Sequence, residues 1–126
     1  EIKPALKEGK IVVSDRYLYS SLAYQGAAGL DLNWIREINR LALTPDLALY
    51  IDVPPETVFE RIRRKRTVME ELQTQEKVRE VYMSLVKAGT LKLIDGNRPA
   101  EEVFKDILSV VTDFLKNLCN KRVSIP

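Results

Sequence analysis

The sequence predicts an α/β fold, in which helices flank a parallel β-sheet. Three short apolar runs, at residues 10–14, 47–53 and 91–95, have the length and composition of buried strands. Segments whose apolar residues recur at helical spacing separate these runs and follow the last one. Strands that alternate with helices indicate a parallel sheet, because a parallel pair needs a crossover connection. A chain of 126 residues has the size of one ordinary domain and can bury a hydrophobic core.

The composition is that of a globular protein, and it excludes several kinds of chemistry. Hydrophobic residues make up 45% and charged residues 30% of the sequence, with a net charge of +2. So balanced a charge argues against nucleic acid or a membrane as a partner, and no apolar run is long enough to cross a bilayer. The chain has no histidine, which excludes His-based triads and most zinc sites. A single cysteine cannot form an internal disulfide, so we expect a cytoplasmic protein.

The N-terminal part of the chain is predicted to form a helix, a strand and a second helix. Residues 1–8 have an apolar side, and Gly9 is a natural helix stop. The strand 10–14 follows, and because ligands bind beyond the carboxyl ends of parallel strands, chemistry is expected at Asp15 and Arg16. A carboxylate there could hold the water shell of Mg²⁺, and a guanidinium could bind a phosphate with two parallel hydrogen bonds. The structural alternative is an Asp that caps the next helix beside a surface Arg.

The segment after Arg16 combines aromatic rings with hydroxyl and amide groups. Ser20 and Tyr24 are four residues apart, as are Ser21 and Gln25, so each pair shares a face of the predicted helix. An aromatic ring, a hydroxyl and a carboxamide are suited to hold a planar base and to bind its polar edge. These side chains are therefore candidates for a base-binding surface.

The middle of the chain is predicted to form a helix, the clearest buried strand (47–53) and another helix. Asp31 is a good N-cap for the first of these helices. Pro55 suits the first turn of the second. Asp52, at the end of the strand, either supports a nucleotide site through water or its backbone, or caps a turn. The apolar side of the first helix is predicted from its spacing to comprise Trp34, Ile38, Leu41 and Ala42.

The last third of the chain is predicted to form a helix over residues 71–87, the strand 91–95 and a tight turn at 95–99. A long helix follows the turn, and residues 120–126 are predicted to be a frayed tail. This last helix has an amphipathic stripe that we expect to pack on the core. Its members are Val103, Ile107, Val110, Val111, Phe114, Leu115 and Leu118.

Three stretches resemble motifs of thymidylate kinases, the enzymes that transfer the γ-phosphate of ATP to dTMP. Residues 14–27, SDRYLYSSLAYQGA, resemble the DRY/H…SxxAYQG segment of that family. Residues 45–62 resemble its second hallmark, LxxPDLxxxLDVxPExxxxR, and residues 76–85 resemble the VRxxY helix that follows its lid. The resemblance implies one partial domain over all 126 residues, with the fold of P-loop nucleoside monophosphate kinases and a lid at about residues 61–71.

The resemblance also implies a catalytic role for five residues. Asp15 would orient Mg²⁺ and its water shell near the acceptor phosphate, and Arg16 would bind the phosphate of dTMP. The lid residues Arg61, Arg64 and Arg66 would close over the phosphates of ATP, where positive charge stabilises the transition state. The lack of histidine does not exclude phosphoryl transfer, because this reaction depends mainly on positioning and charge neutralisation.

Five further roles in nucleotide binding follow from the same resemblance. Ser21 and Gln25 would bind the polar edge of thymine, with Ser20 nearby. Tyr24 would lie against the sugar and leave no room for a 2′-hydroxyl. Asn97 lies in the turn that, in the family, is beside the adenine of ATP.

The phosphate-binding loop GxxxxGK[ST], which opens proteins of this kind, does not occur in the sequence. In the family, the strand before that loop lies between the strand ending at Asp15 and the strand ending at Asp52. Without it, buried backbone groups would remain unpaired at about 1–3 kcal/mol each, against a total stability of about 5–15 kcal/mol. We therefore expect these residues to act as part of a longer polypeptide, or with a separately supplied segment, and to turn over negligibly alone.

The resemblance implies dTMP and ATP as ligands and, by analogy with the family, a homodimer. Two alternatives stay open. The chain could belong to another nucleotide or deoxynucleoside kinase, since an Asp-Arg pair and a lid are widely shared among these enzymes. It could also belong to a non-catalytic protein of kinase-like fold that binds a nucleotide or a partner.

Overall fold

The computed structural model describes residues 1–62 and 68–123. Within these ranges the chain forms six helices and two strands. It divides into two compact units, residues 1–42 and 43–126. In chain order the elements are α1 (Ile2–Lys7), α2 (Leu18–Ala27), α3 (Leu32–Ile38), β1 (Leu49–Asp52), α4 (Pro55–Ile62), α5 (Val68–Lys87), β2 (Lys92–Asp95) and α6 (Ala100–Val123).

The first unit contains α1, α2 and α3. α2 packs against α3, and the buried side chains of the unit are Leu22 and Ala23 on α2 and Ile35 on α3. Gly9 ends the first helical segment as predicted. Its φ is 78°, a conformation that glycine adopts without steric cost, and its N–H donates to the carbonyl of Leu6 at 3.0 Å.

The predicted strand at residues 10–14 is wrong. The segment has no regular secondary structure, and the side chains of Ile11 and Val13 are 71% and 90% exposed. Its β-branched composition suits a strand, but a strand also needs a neighbour that pairs with its backbone groups. In the part of the chain that the structure describes, the one sheet consists of β1 and β2, so residues 10–14 have no strand beside them.

The predicted N-cap of α3 is confirmed, whereas its predicted apolar side is wrong. Asp31 Oδ1 accepts a hydrogen bond from the backbone N–H of Trp34 at 3.0 Å. Ile35 is the buried residue of the helix. At the C-cap of the helix, the Asn39 side chain donates to the carbonyl of Ile35 at 2.8 Å. Three of the residues that were predicted to face inward are instead exposed, namely Trp34, Ile38 and Leu41.

The second unit contains the parallel strand pair. β1 and β2 run parallel, from Leu49 opposite Lys92 to Asp52 opposite Asp95. This pairing confirms that the second and third predicted strands belong to a parallel sheet, in which they are neighbours. Pro55 is the first residue of α4, as predicted, and it is buried.

Two long helices complete the second unit. α5 packs against β1, and α6 packs against β2. α6 extends to Val123, so the predicted frayed tail is wrong for residues 120–123. The predicted stripe of α6 is partly buried, except for Leu118, which is 42% exposed. None of the described helices is both long and apolar enough to span a membrane.

Candidate functional site

Arg16 has a backbone conformation that few non-glycine residues adopt. Its φ is 62°, the only positive value for a non-glycine residue among those that the structure describes. A conformation of this kind costs on the order of 1–3 kcal/mol, and it occurs often at functional sites. The carbonyl of Arg16 accepts a hydrogen bond from the Ser14 hydroxyl at 3.2 Å. The local structure therefore holds Arg16 in a strained position at the entrance to α2.

The side chain of Arg16 contacts two other predicted site residues. Its Nε donates to Ser20 Oγ at 3.4 Å, and its Cζ lies 4.8 Å from the ring centroid of Tyr24. Ser20 and Tyr24 are one turn apart on α2, so both support the guanidinium from the same face of the helix. Arg16 is nevertheless exposed, so its outer N–H groups can bind an anion from solvent.

Three further predicted residues of the first unit lie close in sequence to this cluster. Ser21 and Gln25 are on α2, with Ser21 partly buried and Gln25 exposed. Asp15 directly precedes Arg16 and is exposed. Mg²⁺ is usually held by one or two carboxylates together with substrate phosphates and water, and a single exposed carboxylate fits that pattern. Among the described residues, no group of three or more Asp, Glu, His or Cys side chains could hold a metal ion by itself.

The second unit contains a groove of about 770 Å³ that is lined by residues of β1, α4, α6 and the loop after β2. Two predicted site residues, Arg61 and Asn97, line it together, and both are exposed. Arg61 is in the last turn of α4. The complete lining consists of Ile51, Val53, Arg61, Gly96, Asn97, Arg98, Pro99, Ala100, Val103, Phe104 and Ile107.

The loop that carries Asn97 is fixed by hydrogen bonds at both ends. The backbone N–H of Asn97 donates to Asp95 Oδ1 at 2.9 Å, which confirms the predicted tight turn. Arg98 donates from Nη2 to the carbonyl of Asp95 at 3.1 Å and also to Asp106 on α6. The hydrogen bond to Asp106 is the main reason why the pKa of Arg98 is raised. Arg98 therefore connects the loop to α6 through hydrogen bonds. The side chain of Asn97 is exposed.

Gly96 packs this loop directly against the end of β1. Its N–H donates to the carbonyl of Asp52 at 2.8 Å. A Cβ at Gly96 would lie 2.6 Å from Ile51 Cγ2 and 2.8 Å from Val53 Cγ2, well inside the normal contact distance of about 3.5–4.0 Å. Glycine is therefore required here by the close approach of two backbone segments.

Four side chains form what we call the β1–α5 clamp, namely Tyr50 and Asp52 of β1 with Arg79 and Tyr82 of α5. Arg79 donates from Nε to Asp52 Oδ1 and from Nη2 to Asp52 Oδ2, both at 2.8 Å. Tyr50 Oη donates to Asp52 Oδ1 at 3.0 Å. The rings of Tyr50 and Tyr82 are stacked, with centroids 4.4 Å apart and an angle of 10° between their planes.

The electrostatics of the β1–α5 clamp follow from these contacts. The pKa of Asp52 is lowered, chiefly because Arg79 donates two hydrogen bonds to its carboxylate. The pKa of Tyr50 is raised, first by burial and then by its hydrogen bond to Asp52. The carboxylate of Asp52 is occupied by Arg79 and Tyr50, and neither contact caps the following turn. Support of a nucleotide site by Asp52 stays a prediction.

Sequence reasoning missed three of the residues that organise these sites. Arg79 is the arginine of the segment that resembles VRxxY, but its pairing with Asp52, 27 positions away, was not predicted. Arg98 and Asp106 were also missed, and their contact could be seen only after the turn and α6 were placed. The predicted lid at 61–71 is described only in part, and its candidates Arg64 and Arg66 lie outside the described residues.

Comparison with known proteins assigns the family. The parallel strand pair, with helices packed against both strands, gives the second unit an α/β architecture. A family model described as "Thymidylate kinase" matches residues 1–107. The chain therefore belongs to the thymidylate kinase family, whose members have the P-loop nucleoside monophosphate kinase fold.

Curated relatives support the same assignment. The chain is 42% identical over 118 residues to a protein of Staphylothermus marinus and 43% identical over 114 residues to one of Thermococcus onnurineus, both named "Probable thymidylate kinase". A third, from Pyrobaculum calidifontis and with the same name, is 38% identical over 120 residues. These matches cover 91%, 87% and 94% of this chain. The chain spans about three fifths of the length of these relatives, which are covered to 59%, 56% and 62%.

Proposed function

We propose that the complete protein containing these 126 residues transfers the γ-phosphate of ATP to dTMP and yields dTDP. The observation that carries this proposal is the arrangement of Arg16. Its backbone is held at a φ of 62°, and its side chain is supported by Ser20 and by the ring of Tyr24. An exposed guanidinium that is fixed before the ligand arrives is suited to bind a phosphate in a defined orientation.

The first unit would bind the acceptor nucleotide. Arg16 would hold the phosphate of dTMP, while Ser21 and Gln25 would bind the polar edge of thymine from α2. Tyr24 would have two roles in this proposal, because its ring supports Arg16 and would also exclude a ribose 2′-hydroxyl. Asp15 would hold Mg²⁺ through its water shell, and this ion, when bound, neutralises charge on the transferring phosphate.

The second unit would contribute to binding of the donor nucleotide. Asn97 would lie beside the adenine, and Arg61 would bind the phosphates from the same groove. Its volume of about 770 Å³ is in the range of ligand sites, about 300–1,000 Å³. Arg64 and Arg66 would add positive charge over the transferring phosphate. The phosphate-binding loop would be supplied by another segment of the complete protein, which we also propose to be a cytoplasmic homodimer.

A substrate panel tests this proposal. The complete protein would be assayed with Mg·ATP against dTMP, dUMP, dCMP and thymidine, and we expect dTMP to be phosphorylated with the highest kcat/KM. Preference for dCMP or thymidine would favour another nucleotide or deoxynucleoside kinase. Binding of ATP or dTMP without turnover would favour the non-catalytic alternative.

Arg16→Lys, measured in the same assay, tests whether the geometry of the guanidinium matters in addition to its positive charge. Lysine keeps the charge but loses the planar fork that binds a phosphate with two parallel hydrogen bonds. We expect kcat/KM for dTMP to fall by roughly 100-fold, which corresponds to about 2.7 kcal/mol of transition-state stabilisation. Arg36→Lys on α3 is the matched control, since Arg36 is exposed and contacts Asn33. A change of less than 3-fold in Arg16→Lys would remove Arg16 from the site.

A further inference from the structure

The β1–α5 clamp attaches α5 to the strand at two points. Arg79 and Tyr82 are three residues apart on α5, so they share a face one turn apart. Arg79 binds Asp52 through two hydrogen bonds at 2.8 Å, and Tyr82 stacks on Tyr50. Two attachments one turn apart fix the direction of a helix as well as its distance, whereas a single contact would act as a pivot.

The ion pair of the clamp is selective for arginine. The Asp52 side chain is only 14% exposed and the Arg79 side chain 39% exposed, so water competes weakly for the carboxylate. A guanidinium matches both carboxylate oxygens at once, which fixes the angle between the two groups. The ammonium of a lysine would satisfy the charge without fixing this angle.

Three connected elements, β1, α4 and α5, determine where Arg61 lies. β1 leads through residues 53 and 54 into α4. α4 packs against α5, and α5 packs against β1. Arg61 is in the last turn of α4 and lines the groove with Asn97. The position of Arg61 in the groove therefore depends on α5, which supports α4 from the side.

The geometry sets the size of the expected displacement. Arg61 is six residues beyond Pro55, the first residue of α4, which is about 9 Å along the helix axis. A rotation of α4 by about 10° around its first turn would move the backbone of Arg61 by roughly 1.6 Å. Misplacement of a reacting or charge-stabilising group by about 1 Å can cost on the order of 100-fold in rate.

We propose that Asp52 and Arg79 are positioning residues that act through Arg61. They fix α5 on β1, and α5 in turn supports α4. In this way they hold the guanidinium of Arg61 in the groove. This inference rests on the proposed function, in which Arg61 binds the phosphates of ATP. It assigns the clamp a part in the reaction beyond its contribution to folding.

A double-substitution experiment on the complete protein tests the coupling. Arg79→Lys, Arg61→Ala and the combination would be compared with the unsubstituted protein for kcat/KM toward ATP, KM for dTMP and ATP affinity by calorimetry. We expect Arg79→Lys to lower kcat/KM for ATP by 10–100-fold with Arg61 present and by less than 3-fold in the Arg61→Ala background. KM for dTMP should change by less than 3-fold in each.

Two further variants test whether the loss of kcat/KM for ATP reflects only a change in folding. Asp52→Asn keeps the shape of the clamp and removes its charge, so it should reproduce the Arg61-dependent loss if Arg79→Lys does not fold. Arg40→Lys is the matched control, because Arg40 forms an exposed ion pair with Glu37 at 3.1 Å. It should change kcat/KM by less than 2-fold.

The outcomes separate this inference from the proposed function. Equal fold losses in both Arg61 backgrounds, or no loss in Arg79→Lys and Asp52→Asn, would overturn the positioning role. If the unsubstituted protein phosphorylates nothing but the loss of ATP affinity still depends on Arg61, the proposed function fails and the coupling stands. Absence of both turnover and ATP binding would overturn both.

Discussion

Gly96→Ala is the substitution whose effect the structure defines most closely. The new Cβ would lie 2.6 Å from Ile51 Cγ2 and 2.8 Å from Val53 Cγ2, so relief needs a displacement of about 1 Å from each methyl group. Both neighbours are β-branched, which restricts the rotation that could relieve the contact. The third neighbour is the carbonyl of Asp52, 3.0 Å from the Cβ, and this atom is held by the hydrogen bond from Gly96.

Overpacking of this kind costs about 1–3 kcal/mol. We therefore expect the free energy of unfolding of the complete protein, measured by urea denaturation, to fall by about that amount. The loop would move away from β1 and carry Asn97 with it, so KM for ATP should rise several-fold while KM for dTMP stays unchanged.

Gly89→Ala provides the control for this prediction. Gly89 has a φ of 76°, and a Cβ at this position would have no neighbouring atom within 4 Å. Alanine there should cost about 1–2 kcal/mol through backbone strain alone, and KM for ATP should not change. If Gly96→Ala is as stable as the unsubstituted protein, or if it raises both KM values equally, the reasoning about the loop is refuted.

Other predictions concern the cap of α3 and the pH dependence of the clamp. Asp31→Ala removes the N-cap hydrogen bond and should lower the free energy of unfolding by about 0.5–2 kcal/mol, whereas Asp31→Asn should restore most of it. Because the pKa of Asp52 is lowered in the folded protein, its stabilising contribution is complete above the usual value of 3.8 and is lost as the pH falls below it. The stability difference between the unsubstituted protein and Asp52→Asn should therefore shrink between about pH 4 and 2, and a constant difference would contradict this assignment. Because the pKa of Tyr50 is raised, its contribution is complete below its usual value of 10.0 and is lost as the pH rises above it; Tyr50→Phe should remove this alkaline loss.

The elements that could be predicted from the sequence are those with a local physical cause. The cap at Asp31, the helix stop at Gly9 and the first-turn position of Pro55 depend on a few neighbouring backbone groups, and all three are confirmed. The two apolar runs that became β1 and β2 were also recognised, because each is short, apolar and followed by a turn. Their parallel direction was predicted because helical segments separate them.

The errors have non-local causes. The segment at residues 10–14 has the composition of a strand, but composition does not supply the partner that a strand needs. The inward side of α3 was misjudged because spacing alone selects several faces, and the burial of Ile35 rather than Trp34 is decided by packing against α2. Asp52 was recognised as special from its place at a strand end, yet its partner Arg79 belongs to a helix whose packing no local signal reveals. The roles of Asp15, Ser21, Gln25 and Asn97 stay predictions.

The pairing of β1 with β2 also determines when the groove of the second unit can form during synthesis. The two strands begin at Leu49 and Lys92, and the segment between them contains α4 and α5. Helices can form as the chain emerges from the ribosome, but this non-local pairing must wait until β2 has been made. The groove also takes lining residues from α6 as far as Ile107. A nascent chain that ends before α6 would contain Arg61 but not the complete groove that Arg61 lines, so the groove can form only late in translation.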